Sequence, residues 1–324
     1  MIFYVFVDGI GIGSYQPETN PFSRFAKGLL SPLGGLPLSE SRLSAKASQI
    51  RILETDAHMG IPGLPQSATG QTALWTGVNG PQVLGRHVSG FPTVTLRKII
   101  AQHSIIKVMQ EAGKQADFLN CFTDPYLKHV RENPKLVSAS TLVQTASDRP
   151  LKNLEDLRNG RGLYMDITRG FLREMAKDFL SPDDPVLEPQ DPYNTGKAVF
   201  SNFKDYDLCI YEYFLTDKVG HAQDWEKAQI VIEILESFLE GCIDGMDIEK
   251  DTFILTSDHG NLEDLSQKNH TENKVPTYLS GKLAAEMATS IQSLKDIPLQ
   301  IYKSLGMWDA INSLSKNEFE ASKL

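Results

Sequence analysis

The sequence predicts an α/β fold, a mostly parallel sheet sandwiched by helices. Three observations predict it. Residues 2–7 are a continuous apolar, β-rich run that empties into Asp8-Gly9-Ile10-Gly11-Ile12-Gly13, the pattern of a strand buried on both faces and followed by a tight loop. Two further runs, 206–215 and 252–256, end at Thr216-Asp217 and at Ser257-Asp258-His259-Gly260. Between those two lies a helical stretch from roughly Trp225 to Cys242, with Ile230, Ile234, Leu235, Phe238 and Leu239 at helical spacing. Strand, helix and strand joined by short links form a βαβ unit and therefore pair in parallel.

The remaining elements are read in chain order. Residues 68–76 and 96–112 have helical patterns, and Gln115 to Leu119 reads as a strand. The middle of the chain, 121–190, is polar and mixed, with several prolines and two moderate helices near 150–158 and 167–178. It is expected to leave the sheet as a small cap or as long connections, with the core built from 1–120 and 191–324.

Composition narrows the function. A chain of 324 residues can bury a sizeable core without disulfide or metal staples. Hydrophobic residues are 41% and charged residues 23%, which excludes wholesale disorder. A net charge of −9 without a basic run argues against nucleic acid and anionic membranes as partners. Three cysteines, Cys121, Cys209 and Cys242, share no close spacing; they exclude a thiolate metal cluster and suggest a reducing compartment. The apolar start lacks a basic n-region and is cut by Asp8 after seven residues, so neither a signal peptide nor a membrane span is expected. A cytoplasmic protein is the expectation.

Ligands of open parallel sheets bind beyond the carboxyl ends of the strands. Asp8, Asp217 and Asp258 each follow an expected strand and so share that edge. One aspartate there would be an ordinary helix cap or turn; three, two of them with histidine nearby, are harder to explain that way. Asp217-Lys-Val-Gly-His221 spaces a carboxylate and an imidazole by four, Asp258-His259 sets both side by side, and His270 follows eleven residues later. Three carboxylates and three imidazoles suit Zn or Mn. They exceed the needs of one catalytic ion, and a two-metal site about 4 Å across accounts for them. His58, His87, His103 and His129 are read as ordinary hydrogen-bonded histidines, His87 least securely.

Ser67 precedes an expected helix that ends at Gly77. A serine there is commonly an N-cap. The same helix end offers free N–H groups to an anion, and a serine coordinated by a divalent cation needs no histidine base. Ser67 or Thr69 could serve as a nucleophile; spacing alone does not choose.

Taken together, Asp8-Gly, the Ser67–Gly77 segment, Asp217-x-x-x-His221, Ser257-Asp-His-Gly-Asn261 and His270-Thr-x-Asn-x-Val-Pro276 resemble the alkaline phosphatase metalloenzyme superfamily. The branches of cofactor-independent phosphoglycerate mutase and phosphopentomutase are the most similar named ones. The motifs cover 1–13, 60–80, 207–225 and 252–279, a quarter of the chain and in the same order. The resemblance implies an alkaline-phosphatase-like core and two divalent ions (Zn or Mn, with Mg a further option). It implies that Asp8, Ser67, Asp258 and His259 hold one ion and Asp217, His221 and His270 the other. It also chooses Ser67 over Thr69, because the mutases' nucleophile lies three residues before a glycine, as Ser67 lies before Gly70. Gly70, Gln71 and Lys218 are the implied substrate contacts.

The departures shape the functional expectation. The mutases have histidine after that glycine, where this chain has Gln71. They also carry a large second domain or insertion, whereas only 121–190 is available here. A sulfatase needs arginine where Gln71 stands. In length the chain is similar to short bacterial members of the superfamily without an assigned activity. The implied activity is a phosphomonoester hydrolase working through a phosphoserine on a small phosphorylated metabolite. The alternatives are a phosphomutase, and then a phosphodiesterase or phosphonate hydrolase. A homodimer is left open. Two other classes fit the sequence less well. A dinucleotide-binding loop at Gly9-x-Gly11-x-Gly13 lacks the third glycine of the fingerprint. A non-catalytic scaffold sits poorly with the presence of all seven candidate ligands.

Overall fold

A computed structural model of the chain describes residues 1–38, 49–147, 149–312 and 314. Its centre is a six-stranded sheet. The strands are β1 (Ile2–Val7), β2 (Arg51–Thr55), β3 (Ala116–Phe118), β4 (Leu208–Tyr213), β5 (Thr252–Thr256) and β6 (Val275–Gly281). Their order across the sheet is β2-β6-β5-β1-β4-β3. β5, β1, β4 and β3 pair in parallel; β6 runs antiparallel to both β5 and β2. The mostly parallel α/β expectation therefore holds.

The register explains why β1 is apolar throughout. Val5 pairs with Tyr211 on one side and Leu255 on the other, so every side chain of this central strand is covered. Phe3, Val5 and Val7 pack into one core layer with the long helix Trp225–Gly245 and the helix Pro192–Asn202. Ile2, Tyr4 and Phe6 pack into the opposite layer with Trp75 and the helix Asp296–Ser304. A third, smaller cluster joins Cys121, Leu154, Leu157, Tyr164, Leu172, Ala176 and Val186.

Several local expectations change. The strands β4 and β5 flank β1 rather than each other, so their crossover spans the central strand. The Trp225–Gly245 helix buries Val231, Ile232, Leu235, Phe238 and Leu239, while Ile230 is 54% exposed. The same helix buries Glu236, whose carboxylate accepts the N–H groups of Lys27, Gly28 and Leu30; a buried carboxylate persists only with such donors. The single helix expected over 96–112 is two, Val94–His103 and Ile105–Glu111, because Ser104 caps the second. The helices expected at 150–158 and 167–178 shorten to Leu154–Arg158 and Gly170–Met175.

Candidate metal centre

The site forms where β1, β4 and β5 end. Asp8 follows β1 directly. Asp258 lies two residues beyond β5. Asp217 and His221 lie four apart on the helix Leu215–Ala222, which follows β4, so their side chains share one helix face. Gly9 permits this convergence. It has a left-handed φ of +70°, and a Cβ there would stand 2.7 Å from Asp217 Cβ.

Ser67 opens the helix Ser67–Thr76, which is buried on all sides. Its threonines are satisfied internally: the Thr72 and Thr76 hydroxyls donate to carbonyls four residues back. Ser67 is not the cap it resembles in sequence. Gln66 holds that position without a side-chain bond, and Ser67 Oγ instead stands 3.0 Å from His259 Nε2. Thr69 is fully buried, donates to Gln66 O and accepts from Val88 N–H. Of the two hydroxyls, only that of Ser67 belongs to a residue lining the large cavity described below.

Two clusters of ligand-type atoms result. In the first, His259 Nε2 lies 3.4 Å from Asp8 Oδ1 and 3.4 Å from Asp258 Oδ2, beside Ser67. In the second, His221 Nε2 lies 3.4 Å from Asp217 Oδ2. His270 Nε2 lies 3.7 Å from Asp217 Oδ1 and 3.2 Å from His221 Nε2. The clusters touch, since the His259 and His270 rings stack at 3.6 Å.

These atoms are arranged for cations. His221 Nδ1 meets Lys268 O at 2.7 Å, and His270 Nδ1 meets Pro65 O at 2.9 Å. A carbonyl only accepts, so both Nδ1 atoms carry a proton, which leaves Nε2 as the ligand-type atom facing the other imidazole and Asp217. Such carbonyl-oriented imidazoles are the usual support of metal-binding histidines. Asp8 Oδ1 and Asp258 Oδ1 are buried and accept no hydrogen bond. Ligands about 2.1 Å from a tetrahedral ion stand about 3.4 Å apart, close to the separations here. The donor set and its spacing fit two divalent ions.

The electrostatics agree. Burial, then the neighbouring Asp258 and Asp217 charges, hold the Asp8 carboxyl well above the usual range. Burial and Asp217 push Asp258 up to about 7. Burial and the adjacent His270 push the His259 imidazole down to about 3. A site that disfavours carboxylate charge and imidazole protonation together gains from a cation.

The implied substrate contacts have mixed surroundings. Gly70 turns its bare Cα to Asp258, whose carbonyl oxygen would stand 3.0 Å from a Cβ. Gln71 directs its amide nitrogen to Asp258 Oδ2 at 3.0 Å and Asp8 Oδ2 at 3.4 Å. The Lys218 ammonium lies 5.0 Å from the Phe214 ring centre, on the cavity wall.

Other residues of the site were not singled out in the sequence. Asn261 donates to Asp217 Oδ1 at 2.6 Å. Glu263 accepts from Gly11 N–H, Asn261 N–H and Asn273 Nδ2, tying together the loops that carry Asp8, His259 and His270. Glu212 lines the cavity and accepts from Ser140 Oγ; burial pushes its carboxyl up to about 7. A charged residue inside the apolar 206–215 run was the signal available for Glu212. The histidines read as ordinary behave so in part: His87 Nε2 meets Ile61 O, and His129 Nε2 meets Leu136 O.

Residues 187–309 match the model of the metalloenzyme superfamily. The 2,3-bisphosphoglycerate-independent phosphoglycerate mutase of Desulforudis audaxviator is 28% identical over 116 residues, 34% of this chain and 23% of that protein. The enzyme of the same name from Pyrococcus abyssi is 24% identical over 277 residues, 76% of this chain and 62% of that protein. The chain thus matches less than two thirds of the length of these relatives. Among solved structures, the PH0037 protein of Pyrococcus horikoshii aligns over 96% of both chains at 13% identity, with a TM-score of 0.46. The part of the chain matched by the metalloenzyme superfamily model carries Asp217, His221, Asp258, His259 and His270.

Proposed function

We propose that this chain is a two-metal phosphoryl-transfer enzyme that hydrolyses a phosphomonoester through a phosphoserine at Ser67. The observation that carries the reading is the convergence of imidazole Nε2 atoms and carboxylates in two touching clusters, with Ser67 Oγ 3.0 Å from His259 Nε2. We assign Asp8, Ser67, Asp258 and His259 to one ion and Asp217, His221 and His270 to the other. The oxygen and nitrogen donors suit zinc or manganese. Bound there, the ions would neutralise the carboxylates and act as Lewis acids toward the serine and phosphate oxygens.

The chain's own residues then have definite tasks. Ser67 Oγ attacks phosphorus as the bond to the alcohol oxygen breaks; the alcohol leaves with a proton. Water next attacks the phosphoserine, regenerating the Ser67 hydroxyl and releasing phosphate. The free N–H groups of the helix end stabilise negative charge at Ser67. His221 and His270 are held in register by the Lys268 and Pro65 carbonyls. Gln71 and Gly70 support the Asp8–Asp258 pair, and Lys218 meets the phosphate ester.

A phosphomutase is the second reading, favoured by the names of the sequence relatives. A mutase must keep water from its phosphoenzyme, and the segment 121–190, which we read as a small cap, is short for that task. Three buried, unpaired cysteines support a reducing, cytoplasmic setting. Among the described residues, no helix is long and apolar enough to cross a membrane. Phosphorus NMR on metal-loaded protein with a panel of sugar and glycerate phosphates tests the reading. Free phosphate is expected; stoichiometric conversion to an isomeric ester would replace hydrolase with mutase.

A further inference from the structure

We propose that the phosphate ester this site takes carries a large apolar or aromatic alcohol, seated in the cavity beside Ser67. This rests on the phosphoryl-transfer reading above and gives it a substrate class. The cavity measures about 610 Å³, and Asp8, Ser67 and Asp217 are part of its lining. The apolar part of its lining is led by Phe91, Phe122, Tyr126, Met165, Phe171 and Met175. Phe91, Phe171 and Met175 are 49%, 36% and 47% exposed. Three large apolar side chains facing one cavity form a patch that gains free energy when a ligand covers it.

The wall is built, not loose. The Asp166 carboxylate accepts the N–H of Arg169 at 3.0 Å and of Phe171 at 2.6 Å. Leu172, the next residue, is fully buried. These contacts fix the segment that offers the Phe171 ring. Phe122 and Tyr126 stack at 4.9 Å with their planes 19° apart, and Tyr126 is further held by a hydrogen bond to Thr141. A wall ordered in advance does not spend binding energy on ordering itself.

The polar groups point the same way. Among the described residues lining the cavity, Lys218 carries the single positive charge, against Asp8, Glu212 and Asp217. With Lys218 serving the phosphate, no second basic side chain among the described lining residues is left to receive the carboxylate of a glycerate. Of the polar side chains that also line it, Asn120 is spent on the Glu212 backbone, and Ser138 and Thr141 on each other and on Tyr126, so the hydroxyls of a sugar would find few free partners among the ring faces and thioethers. No arginine is among the described residues lining the cavity, and several of the same segment bond elsewhere: Arg149 to Asp117 and Gln115, Arg158 to Asp184, Arg161 to Asp156 and Arg169 to Val186 O. An alkyl or aryl group matches the wall that is present.

The test uses two series on the metal-loaded full chain. Methyl-, butyl- and hexylphosphonate are titrated by calorimetry, and ethyl, butyl and hexyl phosphate are compared as substrates beside 3-phosphoglycerate. Within each series the acidity of the alcohol or acid hardly changes, so length reports burial. Affinity and kcat/KM are expected to rise about two- to fourfold per added methylene, and Phe171→Ala with Met175→Ala should flatten the slope. Turnover without any length dependence, or 3-phosphoglycerate outpacing hexyl phosphate, overturns the inference while leaving phosphoryl transfer intact. Length-dependent phosphonate binding with no turnover of any ester supports the apolar seat and counts against phosphoryl transfer instead. Failure of hexylphosphonate to bind overturns the inference.

Discussion

At Ser67 two uses of one side chain compete, and the surrounding atoms decide between them. A capping serine would bond back to its own helix; this one faces His259 at 3.0 Å, while Thr69 has spent its hydroxyl on Gln66 O and Val88 N–H. Ser67→Ala should lower kcat by several orders of magnitude and leave most of the metal bound, since the other candidate ligands remain. Phosphopeptide mapping after acid quench should find label on Ser67; label on Thr69 would reverse the choice. Glu212 gives a second prediction at this scale. Its carboxyl is raised from 4.5 to about 7 by burial, so the folded state holds a proton that the unfolded chain has lost between those values. That contribution is complete below about pH 4 and declines as pH rises through 7. Because the side chain opens on the cavity, water discounts the full span. Between pH 5 and 8.5, metal-free wild type should lose about 1–3 kcal/mol more stability than Glu212→Gln in urea melts. Parallel curves would show that Glu212 is not held protonated. The ligand-type residues were legible because each follows a strand or sits in a dense His/Asp motif. Glu212 and Glu263 were not: their importance comes from partners distant in sequence.

The elements explain how side chains more than 200 residues apart meet. Gly9 lets the turn after β1 run against the Leu215–Ala222 helix, where no Cβ fits between it and Asp217. Gly9→Ala combines a left-handed backbone with a clash against the Asp217 backbone. It should cost about 1–3 kcal/mol of stability and weaken metal binding at the Asp217 cluster first. Unchanged metal affinity in a folded variant would show that Asp217 is positioned by other contacts, Asn261 foremost. The strands β1, β4 and β5 and the long helix were readable from apolar runs and helical spacing. β2 and β6 were not. β2, an edge strand with the charged ends of Arg51 and Glu54 in its short span, carries a weak period-two signal. β6 begins inside the segment read as a metal motif, at Val275. The exposed Ile230 shows the limit of spacing: an apolar residue one position off the buried stripe fits the period and still faces water.

Across the whole molecule, the sheet gathers negative charge at one edge, and the fold is expected to be most stable when that charge is balanced. Stripping the ions should lower the melting temperature, and saturating zinc or manganese should restore it. Each site held at a hundred times its dissociation constant adds about 2.7 kcal/mol. A melting temperature indifferent to chelator and ion would mean that the carboxylates are balanced by protons alone. The division into a core and a 121–190 cap was suggested by composition; in the folded chain, the side chains of that segment form their own small cluster and supply much of the cavity wall. The most direct test of the central claim is elemental analysis of the dialysed full-length protein after loading, with His221→Ala and His259→Ala alongside. Two divalent ions per chain are expected in the wild type and one fewer in each variant. No bound ion in the wild type, or two still bound in both variants, would contradict it.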